Sequence, residues 1–479
     1  MTSTVPAAEF DVIVIGGGPA GENAAAYAIA NSARTAAIVE RELVGGECSY
    51  WACIPSKALL RPGHVLAAAR AMPGITAAPL DVAAVLRRRD EFVHDHDDSS
   101  QVRWARDNRI EIIRGDGRLA GERLVEVGGR TLRARHAVVL ATGTRAAVPD
   151  VPGLRAALPW ISRDATNLHD VPGRVVIIGG GVVACESATW LNALGARVTM
   201  LVRGSRLLAS VEPFAGERVA AGLSAAGVRV LFDSEPASVT RVDAKDTGEG
   251  RIHGGPVTVE VRGAHAGTLE ADEIVVAAGR TPATDGLGLA SVGLPPGYVE
   301  VDDALTVRGV DGAWLYAVGD VNHRALLTHM GKYQARICGD VIAARARGLP
   351  LEGRRFTASA DHAQVPQVIF TDPEVAAVGL SEAAARRAGH AVETVELDIA
   401  VAGSALARDD YAGRAALVVD TATETLLGAT FVGPDVGEQL HAATIAVVGR
   451  VPLDTLWHAV PAYPTISEFW LRLLEARRG

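Results

Sequence analysis

Nowhere does the 479-residue chain carry an uninterrupted apolar run near the roughly 18 residues that a bilayer-spanning helix needs. Its opening residues, Met1 to Phe10, lack the basic start and apolar stretch of a secretion signal. Cysteine is scarce: four residues are too few for a secreted disulfide framework in a chain this long. The expectation is a cytoplasmic protein without membrane association, in which any disulfide is catalytic. Positive charge is in deficit as well. Forty-seven Lys and Arg against 56 Asp and Glu leave a net charge of −9, which argues against a nucleic-acid partner. Within the basic set lysine is nearly missing, present only as Lys57, Lys245 and Lys332. What remains, 48% hydrophobic and 22% charged residues, is a globular composition with length for about three domains.

The first strong pattern is an apolar strand, Asp11 to Ile15, running into Gly16-Gly-Gly-Pro-Ala-Gly21. An alanine-rich helical stretch follows, then a strand over 35–39 that ends in Glu40. Strand, glycine turn, helix, strand and acid make a βαβ dinucleotide-binding unit. Gly16 permits the tight turn, Gly18 lets a pyrophosphate approach the backbone, and Gly21 lets the helix pack on the strand. The helix N-terminus then faces the phosphates and Glu40 a ribose hydroxyl. The same grammar returns from Arg174 through Gly179, Gly181 and Ala184 to a strand over 198–202. Two such units imply two dinucleotides. Each has an echo further on, a buried strand ending in a small-residue turn: Ala137 to Thr142 and Gly143, and Glu273 to Gly279. Pro/Gly-rich boundaries are predicted near Val151–Gly153 and Gly348–Gly353. A strand over 313–320 and a helix over about 327–347 follow. The last stretch alternates strands at 415–420 and 427–433 with helices near 381–388, 438–448 and 467–476, which reads as a separate α+β domain.

Directly after the first unit stands Gly45-Gly-Glu-Cys48-Ser-Tyr-Trp-Ala-Cys53-Ile-Pro-Ser-Lys57. Two cysteines five apart at the start of a predicted helix are close enough for a disulfide, and the helix N-terminus would favour a thiolate. A metal site would need two further ligands, and Cys185 and Cys338 fall in helices without suitable spacing. An inert pair of core cysteines remains the other alternative.

The chain resembles the flavoprotein disulfide reductases, the pyridine nucleotide-disulfide oxidoreductases. The match runs through Gly16–Gly21, Gly45–Lys57, Ala141–Gly143, Gly179–Glu186, Gly279-Arg-Thr-Pro282, Val318–Asp320, Phe370–Glu374 and Pro464–Glu468, in the family's order. The resemblance implies an α/β fold with two Rossmann-like dinucleotide-binding domains, for FAD and NAD(P), plus a C-terminal α+β dimerisation domain. The expected divisions are 1–150 with 280–350 for FAD, 151–279 for NAD(P)H and 351–479 for dimerisation. FAD would be held by Gly16, Gly18, Gly21, Glu40, Lys57, Thr142, Gly143 and Asp320. NAD(P)H would be held by Gly179, Gly181, Glu186, Arg203, Arg206 and Gly279. Cys53 corresponds to the thiol facing the flavin and Cys48 to the thiol that attacks substrate. Lys57 corresponds to the lysine beside flavin N5, with Glu186 as its carboxylate partner. Tyr463 and Glu468 take the places of the family's histidine and glutamate, which act on the interchange thiol of the other subunit of a homodimer. No metal is implied.

Three departures limit the resemblance. Val182 stands where many members have a tyrosine over the nicotinamide pocket. Trp51 and Ala52 replace a small pair, a spacer similar to that of soluble transhydrogenases. Tyr463 replaces histidine, as in mercuric reductases and soluble transhydrogenases, and with a reference pKa near 10 it is a poor base at neutral pH. No cysteine follows Cys338, unlike the C-terminal pair of mercuric reductases. His458 lies five residues before Tyr463 and is read as an ordinary surface or structural histidine. The strand 198–202 runs into Arg203, with Arg206 close behind and no acid, which suits the 2′-phosphate of NADP; two solvated loop arginines are the bland alternative. The expected activity passes electrons from NAD(P)H, with NADPH preferred over NADH, to a disulfide or other small electrophilic acceptor. Quinone, diaphorase or transhydrogenase activity, with the cysteines secondary, is the alternative. A mercuric-reductase-like enzyme and a dihydrolipoamide dehydrogenase subunit rank below these.

Overall fold

The structure, a computed structural model, describes residues 7–478. The chain forms two compact units. One comprises the described part of 1–54 with Asp90–Arg145 and Arg280–His362; the other comprises Pro55–Arg89, Ala146–Gly279 and the described part of 363–479.

The first unit is built on a seven-stranded sheet. Its central strand, Ala8–Ile15, runs parallel to both Ala36–Glu40 and Arg130–Leu140, so that Ile15 lies opposite Val39 and Leu140. Ile110–Arg114 extends the parallel part at one side. The long strand Arg130–Leu140 pairs antiparallel with Leu124–Val127 over its first residues and parallel with Leu315–Ala317 over its last. Val12 to Ile15 are all buried, which is why that run is continuously apolar rather than alternating. The helix Pro19–Ile29 packs on the helix Thr328–Arg345 through small residues. A Cβ on Gly331 would stand 3.3 Å from Ala20 Cβ, and one on Gly339 only 2.4 Å from Tyr27 Cβ. The glycines therefore let the two backbones approach closely.

In the second unit a four-stranded parallel sheet orders Arg229–Leu231, Arg197–Leu201, Arg174–Ile178 and Glu273–Val276. The strands Ser234–Arg241, Val257–Gly263 and Gly267–Ala271 form an antiparallel meander. A five-stranded antiparallel sheet runs Pro366–Ile369, Glu374–Gly379, Thr425–Gly433, Arg414–Asp420 and Val392–Asp398. The fully buried Phe431 and Phe469 meet edge to face at 4.9 Å, joining this sheet to the helix Phe469–Arg478. Each such ring contributes about 1.5–3 kcal/mol by burial. The helix Cys53–Arg70 opens at the last residues of the first unit, and from Pro55 onward its residues belong to the second. Its Leu59 and Leu60 join the core built on Trp160 and Trp190.

Candidate active site

The first glycine turn fixes its backbone by exclusion. Gly16 has φ +105°, and a Cβ there would lie 2.4 Å from Ala141 O; one on Gly21 would lie 1.9 Å from Gly16 O. Gly18 caps the helix Pro19–Ile29 without a side-chain acceptor, which leaves the first-turn amides for an anion. Buried Glu40 accepts from Gly17 N at 2.6 Å and Glu42 N at 2.7 Å, and retains lone pairs for a ribose hydroxyl. Thr142 Oγ1 is buried with no hydrogen-bond partner among the described residues, a polar atom that a bound ligand would satisfy. Gly143 follows at φ +71°. Asp320 accepts from Thr144 Oγ1 at 2.8 Å, and Arg280 reaches both that hydroxyl and, at 2.8 Å, Thr144 O. The Gly319–Asn322 turn that presents Asp320 is held by Gln334, whose Oε1 accepts from Gly319 N and Asn322 Nδ2. The unit thus fits an FAD: an open phosphate turn, a ribose acid, an orphaned hydroxyl and a rigid carboxylate. Arg280 and Gln334 carry no separate role in the sequence pattern, because each acts through a partner distant in the chain.

The cysteine loop crosses this turn. A Cβ on Gly46, which has φ +57°, would lie 2.8 Å from Gly18 Cα, and Gly45 N donates to Gly17 O at 2.8 Å. The two cysteines do not share a helix. Gly45 and Gly46, both left-handed, start a separate short helix, Gly46–Tyr50, that carries Cys48 and ends at Trp51; Cys53 opens the next helix. Both residues are thiols, and the Cys48 thiol hydrogen-bonds Cys53. Cys53 Sγ lies 3.3 Å from Thr328 Oγ1 at the start of the helix Thr328–Arg345. The pairing with Cys53, and then burial, push the Cys48 thiol pKa up, with Thr328 and Lys332 opposing. That runs against the thiolate expected from a helix N-terminus, because a proton shared between two sulfurs outweighs the dipole of a short helix. Tyr50 and Trp51 are buried against Val93, with the His96 ring 6.0 and 5.5 Å from theirs.

In the second unit Lys57 Nζ donates to Glu186 Oε2 at 2.8 Å and sits 4.8 Å above the Phe370 ring. The other oxygen of buried Glu186 accepts from Phe370 N at 2.9 Å. Two turns beyond Lys57, His64 is half-buried, and its buried Nε2 has no hydrogen-bond partner among the described residues. Burial lowers its pKa against the opposing charges of Asp372, Glu186 and Asp435. His64 is absent from the candidates drawn from the sequence; its seven-residue spacing from Lys57 was the available signal.

The second glycine turn repeats the first. Gly179, at φ +140°, would place a Cβ 2.3 Å from Ala277 O, and Gly181 caps the helix Val182–Ala193 with open space where a Cβ would stand. Gly279 has φ +122°. Arg203 and Arg206 are exposed after the strand Arg197–Leu201, Arg206 donating to Ala209 O at 2.8 Å. Near the C-terminus Tyr463 is 74% exposed, while Glu468 is buried. Glu468 Oε1 accepts from Arg472 at 2.9 Å and Oε2 has no partner among the described residues. His458 is exposed. Val460, Leu406 and Ile445 are also exposed. Among the described residues no helix is long and apolar enough to cross a membrane.

Comparison with known proteins agrees with this geometry. Residues 10–337 match the pyridine nucleotide-disulphide oxidoreductase family, and residues 365–473 match that family's dimerisation domain. A mercuric reductase from Staphylococcus aureus is 30% identical over 466 residues, covering 96% of this chain and 81% of that protein. A dihydrolipoyl dehydrogenase from Chlamydia muridarum is 30% identical over 474 residues, 96% of this chain and 95% of that protein. RclA of Escherichia coli, a HOCl-induced flavoprotein disulfide reductase solved as a Cu(II) complex, shares the fold with a TM-score of 0.81 at 23% identity, over 98% of this chain and 99% of that one. The chain belongs to the pyridine nucleotide-disulphide oxidoreductase family and is an FAD- and NAD(P)-dependent flavoprotein oxidoreductase.

Proposed function

We propose that the protein moves electrons from NADPH to a small disulfide or other electrophilic acceptor through a redox-active Cys48–Cys53 pair. The observation that carries this is the thiol contact itself: Cys48 hydrogen-bonded to Cys53, and Cys53 held 3.3 Å from Thr328 Oγ1. Bound FAD would supply two-electron redox chemistry. Gly16, Gly18, Gly21 and Glu40 would hold its dinucleotide portion, with Thr142, Gly143 and Asp320 further along it. Residues 1–150 with 280–350 form the FAD domain in this reading, 151–279 the NAD(P)H domain and 351–479 the dimerisation domain. Gly179, Gly181 and Gly279 would admit the nicotinamide dinucleotide, with Arg203 and Arg206 offering guanidinium groups to a 2′-phosphate. Lys57, held by Glu186, would offer a compact positive charge to the reduced flavin, the role that the family resemblance implies for it. Cys48, the thiol on the loop, attacks the acceptor disulfide, and Cys53 then closes the internal disulfide and releases the second acceptor thiol.

The proposed assembly is a homodimer through the C-terminal domain, supported by the family's dimerisation domain and by exposed Val460, Leu406 and Ile445. Tyr463 would face the partner's acceptor site as a hydrogen-bond donor, and the unpartnered Glu468 Oε2 offers it a place to bind. Tyr463 in place of a base also supports a second reading, transfer to a quinone or second nicotinamide with the cysteines secondary. Steady-state turnover of NADPH with disulfide, quinone and nicotinamide acceptors separates the two. Under the first, Cys48→Ser abolishes disulfide turnover and spares quinone turnover; wild-type turnover of quinones alone would overturn it.

A further inference from the structure

The Ser49-Tyr-Trp-Ala52 spacer between the two cysteines departs from the family pattern, and the proposed electron path gives it no task. Its buried rings, Tyr50 and Trp51, form a small cluster of their own with Val93 and the partly buried Leu43. The two rings meet edge to face at 5.6 Å. His96 closes the cluster, its ring 5.5 Å from Trp51 and 6.0 Å from Tyr50, within the range of favourable aromatic contact. The backbone that carries His96 is unusual. His94, Asp95 and His96 have φ of +52°, +49° and +60°, three consecutive left-handed residues with no glycine among them. L-residues enter that region singly, because Cβ crowds the following carbonyl, so a run of three persists only where its surroundings impose it. Local bonds close the turn: His96 N donates to Val93 O at 3.0 Å and Asp97 N to His94 O at 2.9 Å. Its distant anchor is the cysteine loop. Buried Asp98 accepts from Val44 N at 2.7 Å and from Arg114, which also donates to Glu42 O at 2.6 Å. Tyr50 returns to the same stretch, its hydroxyl donating to Val44 O at 3.1 Å. His94 and Asp95 are exposed, so it is the imidazole of His96 that the turn sets against the spacer.

We propose that His96 is a positioning residue of the redox pair: the left-handed turn 94–96 wedges its ring against Tyr50 and Trp51 and so holds the spacer in the conformation that keeps Cys48 within reach of Cys53. The proposal deepens the reading of Cys48–Cys53 as a working pair and rests on it. Cys53 opens its helix with Thr328 Oγ1 3.3 Å from its sulfur, whereas Cys48 stands on the short helix Gly46–Tyr50 and reaches Cys53 only through the spacer. Closing the disulfide costs the dithiol form the freedom of that loop. A loop already ordered by packing loses less, so the disulfide forms more readily. A turn at ordinary φ would carry the imidazole elsewhere, which gives the strained backbone its use.

The test is the thiol–disulfide equilibrium of the holoenzyme in dithiothreitol redox buffers, anaerobic, at neutral pH and without nicotinamide. Free thiols are trapped by iodoacetamide and counted by mass. In this exchange the cyclic disulfide of oxidised dithiothreitol takes two electrons and two protons from Cys48 and Cys53, leaving the protein disulfide and the dithiothreitol dithiol. Cys185 and Cys338 are fully buried and do not report. His96→Asn keeps a residue that accepts left-handed φ and removes the ring. It is expected to shift the equilibrium toward the thiols by about three- to tenfold, the weight of an aromatic contact. His96→Tyr restores a ring and should return to within about twofold of wild type. Asp95→Gly relieves the backbone at an exposed position without touching the ring; it should raise the urea midpoint and leave the equilibrium unmoved. A His96→Asn equilibrium equal to that of wild type overturns the proposal, whatever its effect on stability. So does a His96→Tyr value equal to that of His96→Asn, or a shift in Asp95→Gly as large as in His96→Asn. Failure of the functional reading looks different: the wild type would keep both thiols at every buffer composition, and the proposal would fall with it.

Discussion

Glu186 is the buried acid on which two elements of the second unit converge, and its replacement separates two contributions. Oε2 takes the Lys57 ammonium at 2.8 Å and Oε1 takes Phe370 N at 2.9 Å, while the carboxylate side chain is 5% exposed. Glu186→Gln keeps an amide oxygen for Phe370 N but turns a donor toward Lys57. That removes a charge-assisted bond, which contributes about 1.5–3 kcal/mol. Lys57 is 36% exposed, so water screens it and the lower end applies. Glu186→Ala loses the same bond and also strands Phe370 N, adding about 1–3 kcal/mol. The expected order by urea denaturation is wild type, then Gln, then Ala, with Ala below Gln by at least about 1 kcal/mol. Equal stability of the two variants would refute the account of Phe370, and a Gln variant as stable as wild type would refute the ion pair. Flavin reduction by NADPH should slow in both, since the ammonium loses the partner that holds it.

Arg203→Glu should lower kcat/KM for NADPH by about 10- to 100-fold, as loss of a charge-assisted bond implies, while leaving NADH nearly unchanged; equal wild-type values for both cofactors would refute the 2′-phosphate reading. Tyr463→His should raise turnover of small disulfides, with a bell-shaped pH profile absent from wild type; no gain would mean that Glu468 does not orient the new ring. Glu22 carries a folded-state pKa of about 7, above its ordinary value of 4.5. As pH rises through that window the unfolded chain ionises while the folded chain holds its proton, so Glu22 progressively lowers stability, by at most about 3 kcal/mol. Glu22→Gln should therefore gain on wild type in urea midpoint from pH 4.5 to pH 7; a constant difference across that range would contradict the burial of Glu22.

The glycine turns were legible because their chemistry is local: only a residue without Cβ can stand where Gly16 meets Ala141 O. The strand expected from Asp11 starts at Ala8, since pairing with Leu132 and its neighbours extends it beyond the apolar run. The helix expected over about 327–347 spans Thr328–Arg345. The sequence pattern puts both cysteines at the start of one helix; instead left-handed Gly45 and Gly46, set by contact with Gly18, remote in sequence, start a separate short helix that ends at Trp51, whose φ of −132° leaves the helical region. Lys57 and Glu186 are 129 residues apart, and their pairing came from the family resemblance rather than from spacing. Arg280 with Thr144 and Gln334 with Gly319 depend on contacts that no periodicity encodes.

The central claim is that Cys48 and Cys53 form a redox pair against the flavin. Anaerobic titration of the holoenzyme with NADPH, followed by absorbance, tests it most directly. The account predicts a long-wavelength thiolate-to-flavin charge-transfer band after two-electron reduction, absent in Cys53→Ser. Passage of the wild type straight to fully reduced flavin, with no such band, would contradict it.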